Sequence, residues 1–579
     1  MEPIWVRSYE PGVPAAVTVP PLTLYDLLAE AVRAAPDKVA VRLVLSYLLG
    51  GQLRVGGSMT YRELLRSVDR FAAALHRLGV RKGDRVAIVL PNSPQYLVAF
   101  FAAARLGAII VNNNPTYTAA ELEHQLADSG AETVIALNLV WPRLQSIPQG
   151  ATAVRRVIVT SLEDLLPFPT RLLVGHMLRR RPDWVDPPRG EGTLAFADLL
   201  REDGPLPQTG PAPEDVALFQ YTGGTTGTPK AAMLTHRNLI ANTVQSLSWM
   251  CAIRPGHEVF LSAIPFFHVY GVMAGILCPL RAVSENVIIA NPIPIDLVME
   301  ALEHERCTIF PGVPAMYVHI VRHPRVREFD LRSVRYCLSG AAPLPLAVQE
   351  QFGELTGGRL VEGYGLTECG PITHGNPLNG VRKDGSIGLP FPSTEVRLVD
   401  PGTGEELPPG AEQAGELVVR GPQVMRGYWN RPEETAAVFD LGDGWLRTGD
   451  ICTADAEGYF RIVDRKKDII KVSGFQVLPR EVEEVLYRHP AVQEVCVAGV
   501  PRGAGERADE QVTAFVVLKP GATATGTEIR TYCHEHLVGY KVPRAVEFRE
   551  QLPRTLVGKA LRRALVAEAL ERRGAVERA

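Results

Sequence analysis

The amino-acid sequence predicts an α/β protein: a large N-terminal domain of two α/β subdomains plus a β-rich subdomain, then a small α+β domain at the C-terminus. Three observations carry this. At 579 residues the chain exceeds what one hydrophobic core supports. Strand and helix patterns alternate over much of it, the order that builds a parallel sheet covered by helices. At Asp464 a charged run, DRKKD, separates this region from a smaller α+β pattern. The division therefore falls between 1–463 and 464–579.

Residues 59–137 set the alternation. In SMTYRELLRSVDRFAAALHRLG, Ser58 or Thr60 offers an N-cap, and apolar residues recur at helical spacing. DRVAIVLPN is a strand that stops at Pro-Asn, SPQYLVAFFAAARLG a helix closed by Gly107, and AIIVNNNP a second strand. Residues 43–58 read as a surface insertion. So do residues 162–213, rich in Pro and Arg, with an amphipathic, basic, membrane-touching element as the alternative. Alternation resumes from 216 to about 375. From 385 to 463, short strands and turns (STEVRLVDPGTG, GELVVRGP, GYFRIVD) predict the β-rich subdomain. Beyond Asp464 follow the helix EVEEVLYRHP, the strands EVCVAGV and QVTAFVVL, and a last helix near 526–539.

Composition excludes several classes. Apolar residues make up 46% of the chain and the formal charge is -3, which describes a soluble globular protein with no nucleic-acid partner. Eight cysteines lie singly with no CxxC pair, so neither a zinc site nor a disulfide framework is expected, and a reducing cytoplasm fits. The N-terminus has no basic n-region and apolar core, so no signal peptide is expected. The apolar runs 96–111 and 263–280 are short and interrupted by Arg105, Pro265 and His268, so they read as core elements.

The stretch with most chemistry is 221–230, YTGGTTGTPK. It holds Thr222, Gly223, Gly224, Thr225, Thr226, Gly227 and Lys230. Ordering glycine is entropically expensive, so such a run implies a partner for its exposed N–H groups and hydroxyls. A phosphate meets that need. The run is not a Walker loop, because Pro229 precedes the lysine and Thr228 stands where a glycine is required. Lysine is itself informative: only ten of the 61 basic residues are lysine, and five of those fall within 221–230, 464–483 and 553–559.

Four further motifs lie downstream. GYGLTE, 363–368, offers a ring to stack on a base, a hydroxyl for a phosphate and a carboxylate for Mg²⁺. Just before it, SGAAP at 339–343 is a small-residue turn that a flat ring can approach. WLRTGD, 445–450, ends in Asp450, which can accept hydrogen bonds from a ribose diol. The charged run from Asp464 continues into IIKVSGFQVLPREVE, and PRTLVGK, 553–559, lies near the C-terminus.

In order and approximate spacing these five motifs resemble the acyl-CoA synthetases of the adenylate-forming (AMP-binding) superfamily, over roughly residues 20–565. The resemblance implies a ligase that makes acyl-AMP from a carboxylate and Mg-ATP, then rotates a mobile small domain and transfers the acyl group to coenzyme A. It implies that Thr222, Gly223, Gly224, Thr225, Thr226, Gly227 and Lys230 hold the β- and γ-phosphates. Ser339, Gly340, Ala341, Glu362, Gly363 and Tyr364 would frame adenine, Gly365 would also belong to the nucleotide site, and Thr367 would touch the α-phosphate. Glu368, with Thr222, would serve Mg²⁺. Asp450 and Arg465 would bind ribose and Asp464 would be the hinge. Lys467, Lys471 and Gln476 would complete the nucleotide and coenzyme A site, the last two reaching it in one of two domain poses. Lys559 would be the adenylation lysine, offsetting charge as carboxylate meets phosphate.

Substrate class turns on His268 in IPFFHVYG. Amino-acid-activating relatives carry an aspartate there, and a histidine cannot supply that fixed negative charge. The resemblance instead places His268 beside the substrate carboxylate, as a catalytic residue with Lys559 and Glu368. The chain ends twenty residues after Lys559, so no carrier domain is expected. VEGYGLTECGPITHGNP is most similar to bacterial long-chain fatty-acid–CoA ligases, with an apolar wall expected at Phe266, Phe267, Val269 and Val272. A medium-chain or aryl acid ligase is the alternative, and a non-catalytic nucleotide-binding protein of the same fold a third. The expected location is cytoplasmic, with peripheral contact at the inner face of the cell membrane and oligomerisation left open.

Overall fold

The computed structural model describes residues 3–186, 190, 192–201, 203–222, 229–408, 413–472, 475–501, 510–554 and 560–576. An eight-stranded sheet lies at the centre of the first subdomain. From edge to edge it runs Gly427–Tyr428, Lys230–Thr235, Val216–Thr222, Ile109–Asn112, Arg85–Val89, Thr133–Leu137, Arg156–Thr160 and Thr193–Ala195. From Val216–Thr222 to Thr193–Ala195 all neighbours are parallel. Lys230–Thr235 returns antiparallel, so the 223–228 run connects the two strands of a hairpin. The helix Pro94–Leu106 packs here and is buried on almost every side, which explains its all-round apolar sequence. Ser93 caps it and Gly107, at φ +68°, closes it.

The second subdomain pairs Leu53–Thr60, Val39–Leu48, Glu285–Ile289 and Val259–Ser262. Single bridges through Ile309 carry the sheet on to Tyr336–Ser339, Arg359–Gly365, Ile372–Gly375 and Leu389–Pro390. Residues 43–58 are therefore a hairpin of this sheet, with only the turn 49–52 and its flanks at the surface: Leu43 and Val44 are fully buried, while Leu49 is 74% exposed. Gly56 belongs to the second strand of this hairpin. A Cβ there would stand 2.0 Å from the Leu43 carbonyl oxygen, so close cross-strand approach, not loop flexibility, demands glycine. The 162–213 region is also only partly superficial. It contains the helix Thr170–Arg179 and the edge strand Thr193–Ala195, and Phe196 is buried against Phe71 at 4.4 Å between ring centroids.

A four-stranded antiparallel sheet, Glu395–Val399, Gly415–Arg420, Leu446–Ala454 and Phe460–Arg465, forms the β-rich subdomain. After Asp464 come the hairpin Ile470–Val472 with Phe475–Val477, then a three-stranded sheet of Val492–Pro501, Glu510–Leu518 and Ala545–Phe548. Its helices are Pro479–Tyr487, Gly526–His536 and Arg562–Val576. The last of these has no clear sequence signal. Among its described side chains Leu565 and Ala569 are buried, too sparse a stripe to announce a helix in RRALVAEALERR. All eight cysteines are free. Among the described residues no helix is long and apolar enough to cross a membrane.

Candidate functional site

The last register pair of the hairpin is Thr222 opposite Lys230, and the Thr222 hydroxyl donates to the Lys230 carbonyl at 3.4 Å. Gly223, Gly224, Thr225, Thr226 and Gly227 lie outside the described residues. The Lys230 ammonium stands 5.3 Å from the centre of the Tyr428 ring and 3.9 Å from a Glu434 oxygen. Tyr428 pairs with Ala232 on the hairpin's outer edge, and its hydroxyl donates to Glu368 Oε1 at 2.7 Å. One tyrosine thus ties the lysine of the phosphate hairpin to the carboxylate expected to serve a metal. Sequence reasoning missed it; the aromatic pair in MRGYWN was the available signal.

Glu368 and Thr367 sit in a short 3-10 turn after the strand Arg359–Gly365. The strand's final glycine is obligatory: a Cβ on Gly365 would fall 2.0 Å from the Pro371 carbonyl oxygen. Ser339 and Glu362 face each other on parallel neighbours. Ser339 is fully buried, and its hydroxyl has no hydrogen-bond partner among the described residues. The next residues bend tightly: Gly340 packs on the Tyr270 ring, and Ala341 has φ +73°, a strained value for a residue with a Cβ. Gly363 packs against the Leu338 side chain. Glu362 accepts from the Leu344 amide at 3.1 Å, and burial lifts its carboxyl to about 7 against the pull of that amide and Arg480.

Asp450 and Arg465 face each other across an antiparallel pair, with Asp450 Oδ1 3.0 Å from Arg465 Nε. The other oxygen accepts from the Tyr364 hydroxyl at 2.6 Å. Burial and the Asp450 charge push the Tyr364 phenol far above its usual range, so it stays a donor. Each Asp450 oxygen has one partner here and retains lone-pair capacity, which a diol can use. Behind Tyr364 the ring of His374 lies at 5.7 Å, backed by Phe460 at 5.2 Å.

Asp464 lies one residue behind Arg465. Its carboxylate accepts from the Arg465 amide at 2.7 Å and from the Arg480 amide at 2.9 Å. Arg480 opens the helix Pro479–Tyr487, so Asp464 satisfies a free N–H of that helix's first turn. Burial raises the Asp464 carboxyl to about 6. Lys467 is exposed and its pKa is lowered, by desolvation first and the Arg465 charge second, with Asp468, Asp450 and Glu368 opposing. Lys471 pairs in register with Gln476, and its amide donates to Glu510 at 2.7 Å.

Lys559 lies outside the described residues, but the chain on either side of 555–559 is drawn together. Arg554 bridges Ala560, and the Leu561 amide donates to the Pro553 carbonyl at 2.8 Å. Arg562 then bonds Asp468 and Glu483, each at 2.8 Å, and the Val497 carbonyl at 3.0 Å.

His268 caps a continuous helical stretch, Val269–Val272, Met273–Leu277 and Cys278–Arg281, whose middle segment is a π-helix. Its Nδ1 accepts from the Tyr270 amide at 3.2 Å, and burial pushes its pKa down to about 4. The ring is therefore neutral at physiological pH, with Nε2–H as its donor. A narrow apolar cavity of about 30 Å³ lies beside this stretch, lined by Trp249, Phe260, Met273, Cys278, Tyr336 and Phe391 among others. Leu338, next to Ser339, also lines it, so it reaches the strand expected to frame adenine. The wall expected from sequence lies elsewhere: Phe266, Val269 and Val272 belong to the main core.

Family models match the AMP-binding enzyme over residues 28–429 and the AMP-binding enzyme C-terminal domain over 481–559. A long-chain-fatty-acid–CoA ligase from Bacillus subtilis is 41% identical over 574 residues, 98% of each chain. A feruloyl-CoA synthase from an Amycolatopsis species is 40% identical over 88% of this chain and 93% of its own. The structure of ATP-bound MatB from Rhodopseudomonas palustris overlays with a TM-score of 0.79 at 28% identity, covering 94% of this chain and 99% of MatB. The protein belongs to the AMP-binding, adenylate-forming enzyme family.

Proposed function

We propose that this enzyme is a long-chain fatty-acid–CoA ligase, consuming ATP and coenzyme A and yielding acyl-CoA, AMP and pyrophosphate. The observation that carries the substrate class is the apolar lining of the cleft that reaches Leu338, the residue before Ser339. Among the described residues its lining has no carboxylate to hold a substrate ammonium. Near-full-length similarity to ligases of this name supports the reading.

In the first half-reaction a carboxylate oxygen of the fatty acid attacks the α-phosphorus of ATP, and the bond to pyrophosphate breaks. Asp450 orients ribose, while Ser339, Gly340, Ala341, Glu362, Gly363 and Tyr364 frame the base. Lys230 and the 222–227 run hold the leaving phosphates, and Thr367 the α-phosphate. Lys559 offsets the negative charge gathering between the two anions. Neutral His268, with Nε2–H to donate, stays beside the carboxylate without forming a salt bridge that would blunt its attack. In the second half-reaction the coenzyme A thiol gives up its proton to solvent, its sulfur bonds to the acyl carbon, and the bond from that carbon to the AMP oxygen breaks. Rotation at Asp464 exchanges Lys559 for Lys471 and Gln476 between the two.

The residues present suit Mg²⁺. Glu368 has one carboxylate oxygen beyond the Tyr428 bond, and Thr222 has a hydroxyl, both hard donors. Among the described residues no cluster of three or more His, Cys, Asp or Glu is built to cage a metal, so these two would act together with substrate phosphates. When bound, the cation neutralises phosphate charge.

Pyrophosphate release across acids of about C2 to C18, with cinnamate included, tests the proposal. Each buried methylene adds about 0.8 kcal/mol, so kcat/KM should climb from about C6 and level off between about C12 and C18. Cinnamate turned over while palmitate stays inert would establish the aryl alternative, which the feruloyl-CoA synthase similarity keeps in view.

A further inference from the structure

The helix Thr170–Arg179 is inverted relative to an ordinary surface helix. Val174 is buried and Leu178 packs on the main core, yet Leu172, Leu173 and Met177 turn outward at 63%, 49% and 53% exposure. Phe168, just before the helix, is 81% exposed. A soluble surface seldom leaves four large apolar side chains together in water. The same stretch, 168–181, carries Arg171, Arg179, Arg180 and Arg181 and no acidic residue. Among the described residues Asp164 forms an ion pair with Arg171 and Asp183 with Arg181, at 3.8 and 2.8 Å, and Asp164 also accepts from Thr160 and the Ser161 amide. Apolar tips flanked by arginines match one environment: apolar chains beneath anionic headgroups.

We propose that this helix is a membrane-docking surface, with Phe168, Leu172, Leu173 and Met177 entering the headgroup–acyl boundary of an anionic bilayer and the arginines meeting lipid phosphates. Docking would hold the enzyme where a long-chain acid is dissolved; that benefit rests on the fatty-acid reading, whereas the binding does not.

Cosedimentation of the full chain with vesicles of phosphatidylcholine, alone or with phosphatidylglycerol, provides the test. Wild-type protein should pellet with the phosphatidylglycerol vesicles and be released by salt. Leu172→Gln with Met177→Gln should lower partitioning by about tenfold or more. Arg179→Gln with Arg180→Gln should abolish the preference for the anionic lipid, each charge contributing about fivefold. Both pairs should keep the wild-type melting temperature and activity on a soluble medium-chain acid, which separates this proposal from the catalytic one. Wild-type protein that stays in the supernatant with both vesicles would overturn the proposal, as would either folded pair pelleting like wild type. So would a loss of self-association on substitution, which would make a second copy of the chain the occupant.

Discussion

Asp450 and Asp464 sit on neighbouring strands, one register position out of step, and are held in opposite ways. Asp450 is gripped by side chains, the Tyr364 phenol and the Arg465 guanidinium. Asp464 is gripped by main-chain amides, one of them at the start of a helix in the C-terminal unit. Side-chain partners fix a carboxylate in place for a substrate. Amide partners fix it to the local backbone path, and that grip changes when the path turns. The contrast supports reading Asp450 as a binding group and Asp464 as a pivot.

The strongest way to break the contrast is to remove what the pivot delivers. Lys559→Ala should lower acyl-AMP formation by on the order of 10²–10³ while sparing transfer from added acyl-AMP to coenzyme A. Equal losses in both half-reactions would mean that Lys559 does not move. Locking the pivot comes next. Asp464→Pro fixes φ and removes the carboxylate, so one half-reaction should fall by about 10² and the other persist; normal overall turnover would remove the hinge. On the gripped side, Asp450→Ala should raise KM for ATP by about 10–100-fold with a smaller effect on KM for the acid, the usual cost of hydrogen bonds to a charge. Tyr428→Phe should act through Glu368 and raise the Mg²⁺ concentration for half-maximal rate several-fold, to about tenfold.

The smallest effect concerns pH. Glu362 has a folded pKa of about 7, above its ordinary value of 4.5, so the folded state binds its proton more tightly than the unfolded chain. Its contribution to stability is therefore full below the unfolded value and is lost as pH rises through about 7. Glu362→Gln keeps an acceptor for the Leu344 amide and removes the titration. The variant's melting temperature should decline less than that of wild type, by a degree or two, between about pH 5 and 7.5.

Much of this was legible in the sequence because it is local. Gly107 closes a helix and Thr60 caps one, as their local patterns say. What escaped depends on partners far along the chain. Tyr428 meets Glu368 across 60 positions, and the cleft takes one or a few residues from each of several elements. No local pattern encodes such a meeting. The hairpin within 43–58, read as an insertion, likewise rests on a distant fit: Gly56 is required by the Leu43 carbonyl oxygen of the neighbouring strand.

Arg562 gives the molecule a gear without backlash. It binds Asp468, just after the pivot, while its own backbone lies just after the segment bearing Lys559. With Glu483 and Val497 it welds the driven end of the C-terminal unit to the end that carries the tool. If Asp464 is the pivot proposed above, an angle turned there would be passed through Arg562 to the segment that follows Lys559. On that proposal, a stroke that withdrew Lys559 would advance the other side of the unit, and the two chemical steps would exclude one another in time. Loosening that weld would let both tools idle near the site, and the enzyme would lose its order of operations before it lost either operation.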